Sequence, residues 1–209
     1  LWVGILKAEG TVFCAGADLK EIAAGNGAAL ATRKGGFGGI TRRERTKPLI
    51  AAITGTAVAG GCEISLSCDL IIASTETVFG LPEVKRSLVA AAGGLFRLPR
   101  ALGMATAMEL IMTGDPLPAQ RAFELGMVNK VVLPEQVLGE AKQLAERIMA
   151  NAPLAVQASR NVAARALMDD DEALWRASGK GFQSVVGTED YQEGPRAFIE
   201  KRPAVWKGK

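Results

Sequence analysis

The sequence predicts an α/β fold that gives way to a helical C-terminal region. Three observations point there. The first two-thirds alternates short apolar runs with glycine-rich turns and helical stretches, the pattern of strand and helix units around a buried sheet. From Pro134 onward the character changes to helices punctuated by prolines and acidic caps. A chain of 209 residues, 48% hydrophobic and 22% charged, can bury a substantial core in one large domain or a domain with an appendage.

Candidate strands are residues 2–7, 49–54, 70–73 and 128–132, each short and mostly β-branched or leucine. The first belongs to LWVGIL, which reads as buried from Leu1 with no targeting segment ahead of it, as expected of a truncated or incomplete chain. Residues 25–39 contain GNGAA and KGGFGG, the composition of a mobile loop behind a broken helix. Arg42, Arg43, Arg45 and Lys47 follow, ending at Pro48; a solvated helix face is favoured over a phosphate-binding role. The later helices are expected at 134–150, 153–168, 170–186 and 190–201. Pro134 and Pro153 suit first-turn positions, and residues 169–171 offer an aspartate cap. Leu154, Ala158, Val162 and Leu167 fall near one stripe of the second of these helices.

Composition removes several function classes. Twenty-five basic against 22 acidic residues leave a net charge of +3, too mild for a general nucleic-acid binder. No apolar run reaches the roughly 18 residues needed to cross a bilayer, so no membrane association is expected. Cys14, Cys62 and Cys68 form no C-x-x-C pair; they read as buried fillers in a reducing, cytoplasmic compartment, with no metal site. The chain has no histidine, which excludes a Ser-His-Asp peptidase and leaves carboxylates as the leading acid–base candidates.

Three segments can carry chemistry. Gly60, Gly61, Cys62 and Glu63 follow the strand LIAAIT and enter an apolar helix, whose opening amides point outward with the positive dipole end behind them. An oxyanion can sit there, or the glycines merely permit tight packing. Glu63 either complements the dipole or, desolvated among apolar neighbours, becomes an acid or base. Pro82 presents Glu83 beyond the strand LIIAS, either as an acid–base partner or as a surface residue paired with Lys85 or Arg86. Near the start, Ala15, Gly16 and Ala17 leave backbone open to a ligand, and Asp18 suits a helix cap.

Taken together, FCAGADLKE, AVAGGCEISLSCDLIIAS, FGLPEV, AAAGGLFRLPRALG and the ending AFIEKRPAVWKGK resemble the crotonase, or enoyl-CoA hydratase/isomerase, family in order and spacing. The resemblance implies a crotonase-like spiral of ββα units over residues 1–133 and a C-terminal helical oligomerisation region over 134–209, with homotrimers or hexamers. It places the oxyanion-hole amides at Ala17 and Gly60 and the catalytic glutamates at Glu63 and Glu83. Ala17, Asp18, Leu19, Lys20 and Gly60 fall where coenzyme A would pass. The implied enzyme is a lyase, an enoyl-CoA hydratase of fatty acid metabolism; coenzyme A is part of its substrate, so no separate cofactor is expected.

The alternatives are an isomerase or another lyase of the family, or a non-catalytic acyl-CoA binder. Relatives that shift a double bond often replace one carboxylate, so retention of both favours hydration. Three departures bear on the substrate. The family pattern carries roughly fifty further residues before Trp2, forming a hairpin and helix. Ala90 and Ala91 stand where a Pro-Gly pair is common, leaving the Ala91 amide. Leu81 replaces a frequent polar residue, which implies a less polar acyl pocket.

Overall fold

The computed structural model describes residues 1–209. Strands and helices follow a repeating rule. Strand β1 (Gly4–Lys7) is followed by β2 (Val12–Cys14) and helix α1 (Leu19–Ala23). A hairpin of β3 (Ala31–Thr32) and β4 (Gly36–Phe37) intervenes before β5 (Leu49–Ile53), β6 (Thr56–Val58) and α2 (Gly60–Ser67). The next turn contributes β7 (Leu70–Ser74), β8 (Val78–Gly80), a 3₁₀ turn (Pro82–Arg86), α3 (Gly94–Leu102) and α4 (Met104–Thr113). Strand β9 (Leu117–Pro118), α5 (Ala119–Glu124) and β10 (Lys130–Val132) complete the two sheets.

One sheet runs β1-β5-β7-β10 and the other β2-β6-β8-β9. Each ββα passage therefore lays its first strand in one sheet and its second in the other. Pairing is parallel from β5 through β7 to β10 and from β2 through β6 to β8, while β9 closes the second sheet antiparallel. The expected spiral of ββα units is present.

The corners between paired strands are polar but satisfied. Thr77 Oγ1 donates to the Ile53 carbonyl at 3.0 Å and accepts from the Ser74 amide at 3.1 Å. Buried hydroxyls that meet such backbone groups avoid the cost of unpaired polar atoms. Around them pack Ile53, Ala57, Ile71, Phe79, Leu98 and Leu117, all nearly or fully buried. Strands β5 and β7 read as continuous apolar runs because both of their faces are covered.

The chain forms two compact units: one comprises Ile5–Glu44 and Leu49–Lys142, the other Leu1–Gly4, Arg45–Pro48 and Gln143–Lys209. Helix α6 (Val137–Met149) bridges the boundary in sequence, and α7 (Pro153–Ala163), α8 (Asp171–Gln183) and α9 (Glu189–Ile199) follow. Within the second unit α7 lies against α8, with the open Cα of Gly181 facing Ala158 and Val162. Asp170 caps α8 by accepting from the Ala173 amide at 2.7 Å, and Pro153 opens α7, both as the sequence implies. Asp190 and Glu193, nearly buried on α9, take hold of the chain end: Asp190 accepts from the Lys207 and Gly208 amides, Glu193 from Val205.

Several sequence expectations change. Residues 42–47 are not helical; the chain turns at Thr41 and Arg42, has no regular structure over 43–45 and bends at Thr46 and Lys47 before Pro48. Residues 25–39 hold a 3₁₀ turn (Gly27–Leu30) and the β3–β4 hairpin rather than a loop, and the short helix expected before them is α1. Leu167 lies past the end of α7 and is 69% exposed, so it leaves the predicted stripe. Strands β2, β6, β8 and β9 were not foreseen, because two or three residues show no periodicity. No helix is long and apolar enough to cross a membrane.

Candidate active site

The site is built where the exit of β2 meets the start of α2. Gly16 adopts φ +98°, and a Cβ placed there would stand 2.7 Å from the Ala59 Cβ and 3.1 Å from the Gly60 nitrogen. A Cβ on Gly61 would approach the Cys14 carbonyl oxygen to 2.0 Å. Only a side chain without Cβ lets these two backbone segments touch. Ala59, at the N-cap of α2, itself holds φ +51°, a left-handed conformation costly for a residue with a side chain. The contact thereby brings Ala17 and Gly60 to the wall of one cavity of about 820 Å³. The Gly60 amide belongs to the opening turn of α2, whose N–H groups have no partner one turn earlier.

Glu63 and Glu83 line that same cavity. Glu63 is only 3% exposed, and its Oε1 accepts from the Gly94 amide, the first of α3, at 2.9 Å. Burial pushes its carboxyl above the usual carboxylate range; the Gly94 amide opposes this, and the charge of Glu83 adds to it. Glu83 sits in the first turn after Pro82. Burial raises its carboxyl as well, and its Oε2 is enclosed without a hydrogen-bond partner. The surface-pair reading of Glu83 is not realised: Lys85 pairs with Asp115 at 3.2 Å, and Arg86 donates to the Lys85 carbonyl. Beside Glu63, burial pushes the Cys62 thiol up to about 12, which suits a core filler and not a nucleophile. Cys14 and Cys68, by contrast, are only partly buried.

The remaining expected positions divide. Leu19 and Ile22 of α1 line the cavity. Asp18 and Lys20 do not; both are exposed, and Asp18 Oδ1 is used to cap α1 through the Lys20 amide at 2.8 Å. Leu81, expected to make the acyl pocket less polar, is 1% exposed and packs beneath Gly94 in the core, so it does not shape the cavity surface. The Ala91 amide is engaged by the Val89 carbonyl at 2.7 Å.

The hairpin region supplies wall residues that sequence reasoning missed. Phe37 covers Gly60 so closely that a Cβ there would meet its ring at 2.3 Å. Leu30, Thr41 and Arg42 join it. No local pattern announces these residues, since their role depends on a hairpin folding back onto α2. Arg97 was also passed over, although a single cation inside the apolar run GGLFRLP is itself a signal.

The enoyl-CoA hydratase/isomerase family pattern matches residues 2–209. The chain belongs to this family. A carnitinyl-CoA dehydratase from Salmonella enteritidis is 39% identical over 202 residues, covering 94% of this chain and 77% of its own. The crystal structure of an enoyl-CoA hydratase from Mycobacterium marinum superposes with a TM-score of 0.94 at 45% identity, covering all of this chain and 82% of that one. A carnitinyl-CoA hydratase from Mycobacterium avium is 43% identical with a TM-score of 0.74, again over all of this chain and 82% of its own. The family's crotonase fold is thus the fold of this chain.

Proposed function

We propose that this chain reversibly hydrates a 2-enoyl-CoA to a 3-hydroxyacyl-CoA through a thioester enolate. One observation carries the reading: two carboxyl groups, both raised by burial, line the same cavity as Ala17 and Gly60. Relatives named hydratases and dehydratases of CoA thioesters support it.

In this mechanism the thioester oxygen lies between the amides of Ala17 and Gly60. Water adds to the β-carbon as ionised Glu63 takes its proton, and the double-bond electrons move through the α-carbon onto the thioester oxygen. The two amides hold that charge; such preorganised donors are worth roughly 100- to 1000-fold each. Protonated Glu83 then returns a proton to the α-carbon as the carbonyl re-forms. Transfer of the proton from Glu63 to Glu83 restores the starting state. Coenzyme A enters as part of the substrate, and no step calls on a metal or resident cofactor.

The cavity also bears on the acyl group. A quaternary ammonium, as in a carnitinyl chain, is best held by aromatic faces or carboxylates. Here Phe37 is the single aromatic lining residue, the lining carboxylates are Glu63 and Glu83, and Arg33, Arg42 and Arg86 line the cavity too. With both carboxylates taken up by the chemistry, the three arginines favour an acyl chain without a cation. We extend the reading to assembly and place: exposed Trp175, Phe182, Phe198 and Ile199 on α8 and α9 suit association into trimers or paired trimers, in a cytoplasmic setting.

The test is turnover of a short 2-enoyl-CoA by the purified protein, followed as loss of the conjugated-thioester absorbance. Glu63→Gln and Glu83→Gln should each lower kcat by roughly 100- to 10,000-fold. Full turnover by both variants would make the two-carboxylate mechanism wrong. Tight acyl-CoA binding in calorimetry without any turnover would instead favour a non-catalytic binder.

A further inference from the structure

Arg97 stands one turn into α3 and reaches back to the segment that ends at Thr41. Its Nη2 donates to the Thr41 carbonyl at 2.7 Å and its Nη1 to the Ala92 carbonyl at 3.3 Å. Those two carbonyls belong to the two walls that enclose Glu63. Thr41 ends the segment that carries Phe37 over Gly60, and Ala92 lies in the turn that delivers the Gly94 amide to Glu63 Oε1. Room for the guanidinium is provided by Gly93, where a Cβ would stand 2.2 Å from Nη1. Thr41 is 1% exposed and Arg97 is half-buried, so the bridge is partly shielded from water, which strengthens a charge-assisted hydrogen bond.

We propose that Arg97 is a positioning residue for the hydration chemistry, a guanidinium clamp that fixes the Gly94 amide, and through it the Glu63 carboxylate, against the Phe37 wall. It touches neither substrate nor reacting atoms. The inference rests on the assignment of Glu63 as the base. A planar fork suits the task because it meets two separated carbonyls at once, which a lysine ammonium on a flexible stem does not reproduce.

The clamp carries a second consequence. Glu63 faces Glu83 from the 3₁₀ turn, Cys62 on its own helix and Arg97 from α3, with Arg33, Arg42 and Arg86 elsewhere around the cavity. Burial raises the Glu63 carboxyl; the Gly94 and Ala92 amides oppose this most, and Arg97 adds a smaller opposing charge. Loss of that cation moves Glu63 further up, so the acidic limb of kcat/KM moves to higher pH.

The experiment compares Arg97→Met and Arg97→Lys with the parent protein on a short 2-enoyl-CoA across pH. Arg97→Met should lower kcat about 10- to 100-fold with KM little changed, as misplacement of a reacting group does, and shift the acidic limb upward. Arg97→Lys should lose kcat but keep the limb near its parental position. In a Glu63→Gln background, Arg97→Met should add little further loss, since its target is already gone. Parental kcat and an unmoved acidic limb in both Arg97 variants, with Glu63→Gln inactive, would overturn the clamp and leave the hydratase reading intact. Full activity of Glu63→Gln would instead overturn the assignment of Glu63 as the base, on which the clamp rests, while hydration itself would stand. Should Arg97→Met fail to fold, the Arg97→Lys profile decides: unchanged kcat rejects the clamp.

Discussion

Two places in this molecule bury glutamates, and they treat them in opposite ways. Around the cavity, Glu83 is enclosed with Oε2 unpartnered and Glu63 with amide support that only partly offsets its burial, and burial raises both. On α9, Glu193 is met by Arg202 at 2.6 and 2.9 Å, by the Val205 amide and by Arg196, which hold its carboxyl well below the usual carboxylate range. The difference separates a carboxyl available to exchange protons from one committed to holding the chain together. It also explains why burial alone does not mark a catalytic acid: the deciding feature is whether the protein has already satisfied it.

The comparison can be broken most severely at the glycines of the cavity. Gly61→Ala drives a methyl into the Cys14 carbonyl, and the displaced α2 start should lower kcat by roughly 100-fold or more, measured by the same absorbance assay. At the other pole, Glu193→Ala removes the partner of two arginines and an amide. It should lower Tm by several degrees without altering KM. A carboxyl lowered on folding contributes stability above its unfolded pKa and loses it as pH falls. The Tm deficit of Glu193→Ala should therefore shrink on acidification.

Glu63→Gln sharpens the contrast from the opposite direction. A carboxyl raised on folding stabilises below its unfolded pKa, and that contribution is lost as pH rises through the folded value. The amide should thus raise Tm at pH 8, with the gain fading at pH 4, while activity is lost. The smallest effect is expected at Lys85→Ala. Its exposed pair with Asp115 is worth about 0.2–1 kcal/mol at most, and kcat should not change because Glu83 does not rely on Lys85.

Much of this was legible before the structure. The apolar runs of β5 and β7 and the prolines and aspartates of the later helices all read correctly, because each signal is local. Glu63 was visible as a charge in apolar company. Its support was not, since the Gly94 amide lies 31 residues away and the Arg97 to Thr41 bond spans 56. The helix expected over 42–47 does not form: the chain is already turning through Thr41 and Arg42 and bends at Thr46 and Lys47, where the following Pro48 disfavours helical backbone. Glu83 could not be separated from a surface residue by spacing, because the partner of Lys85 proved to be Asp115, far along the chain.

The hairpin segment from Gly27 to Arg42 gives the cavity Leu30, Phe37 and Thr41 but neither of its glutamates. Its tie to Arg97 runs through a main-chain carbonyl, which every residue type possesses. Leu30 and Arg42 stand on this stretch apart from the elements bearing Glu63 and Glu83, while Gly35, Gly36 and Phe37 are held by close contacts. Part of what the cavity admits is therefore inherited on a length of the gene separate from the one that encodes its two carboxylates.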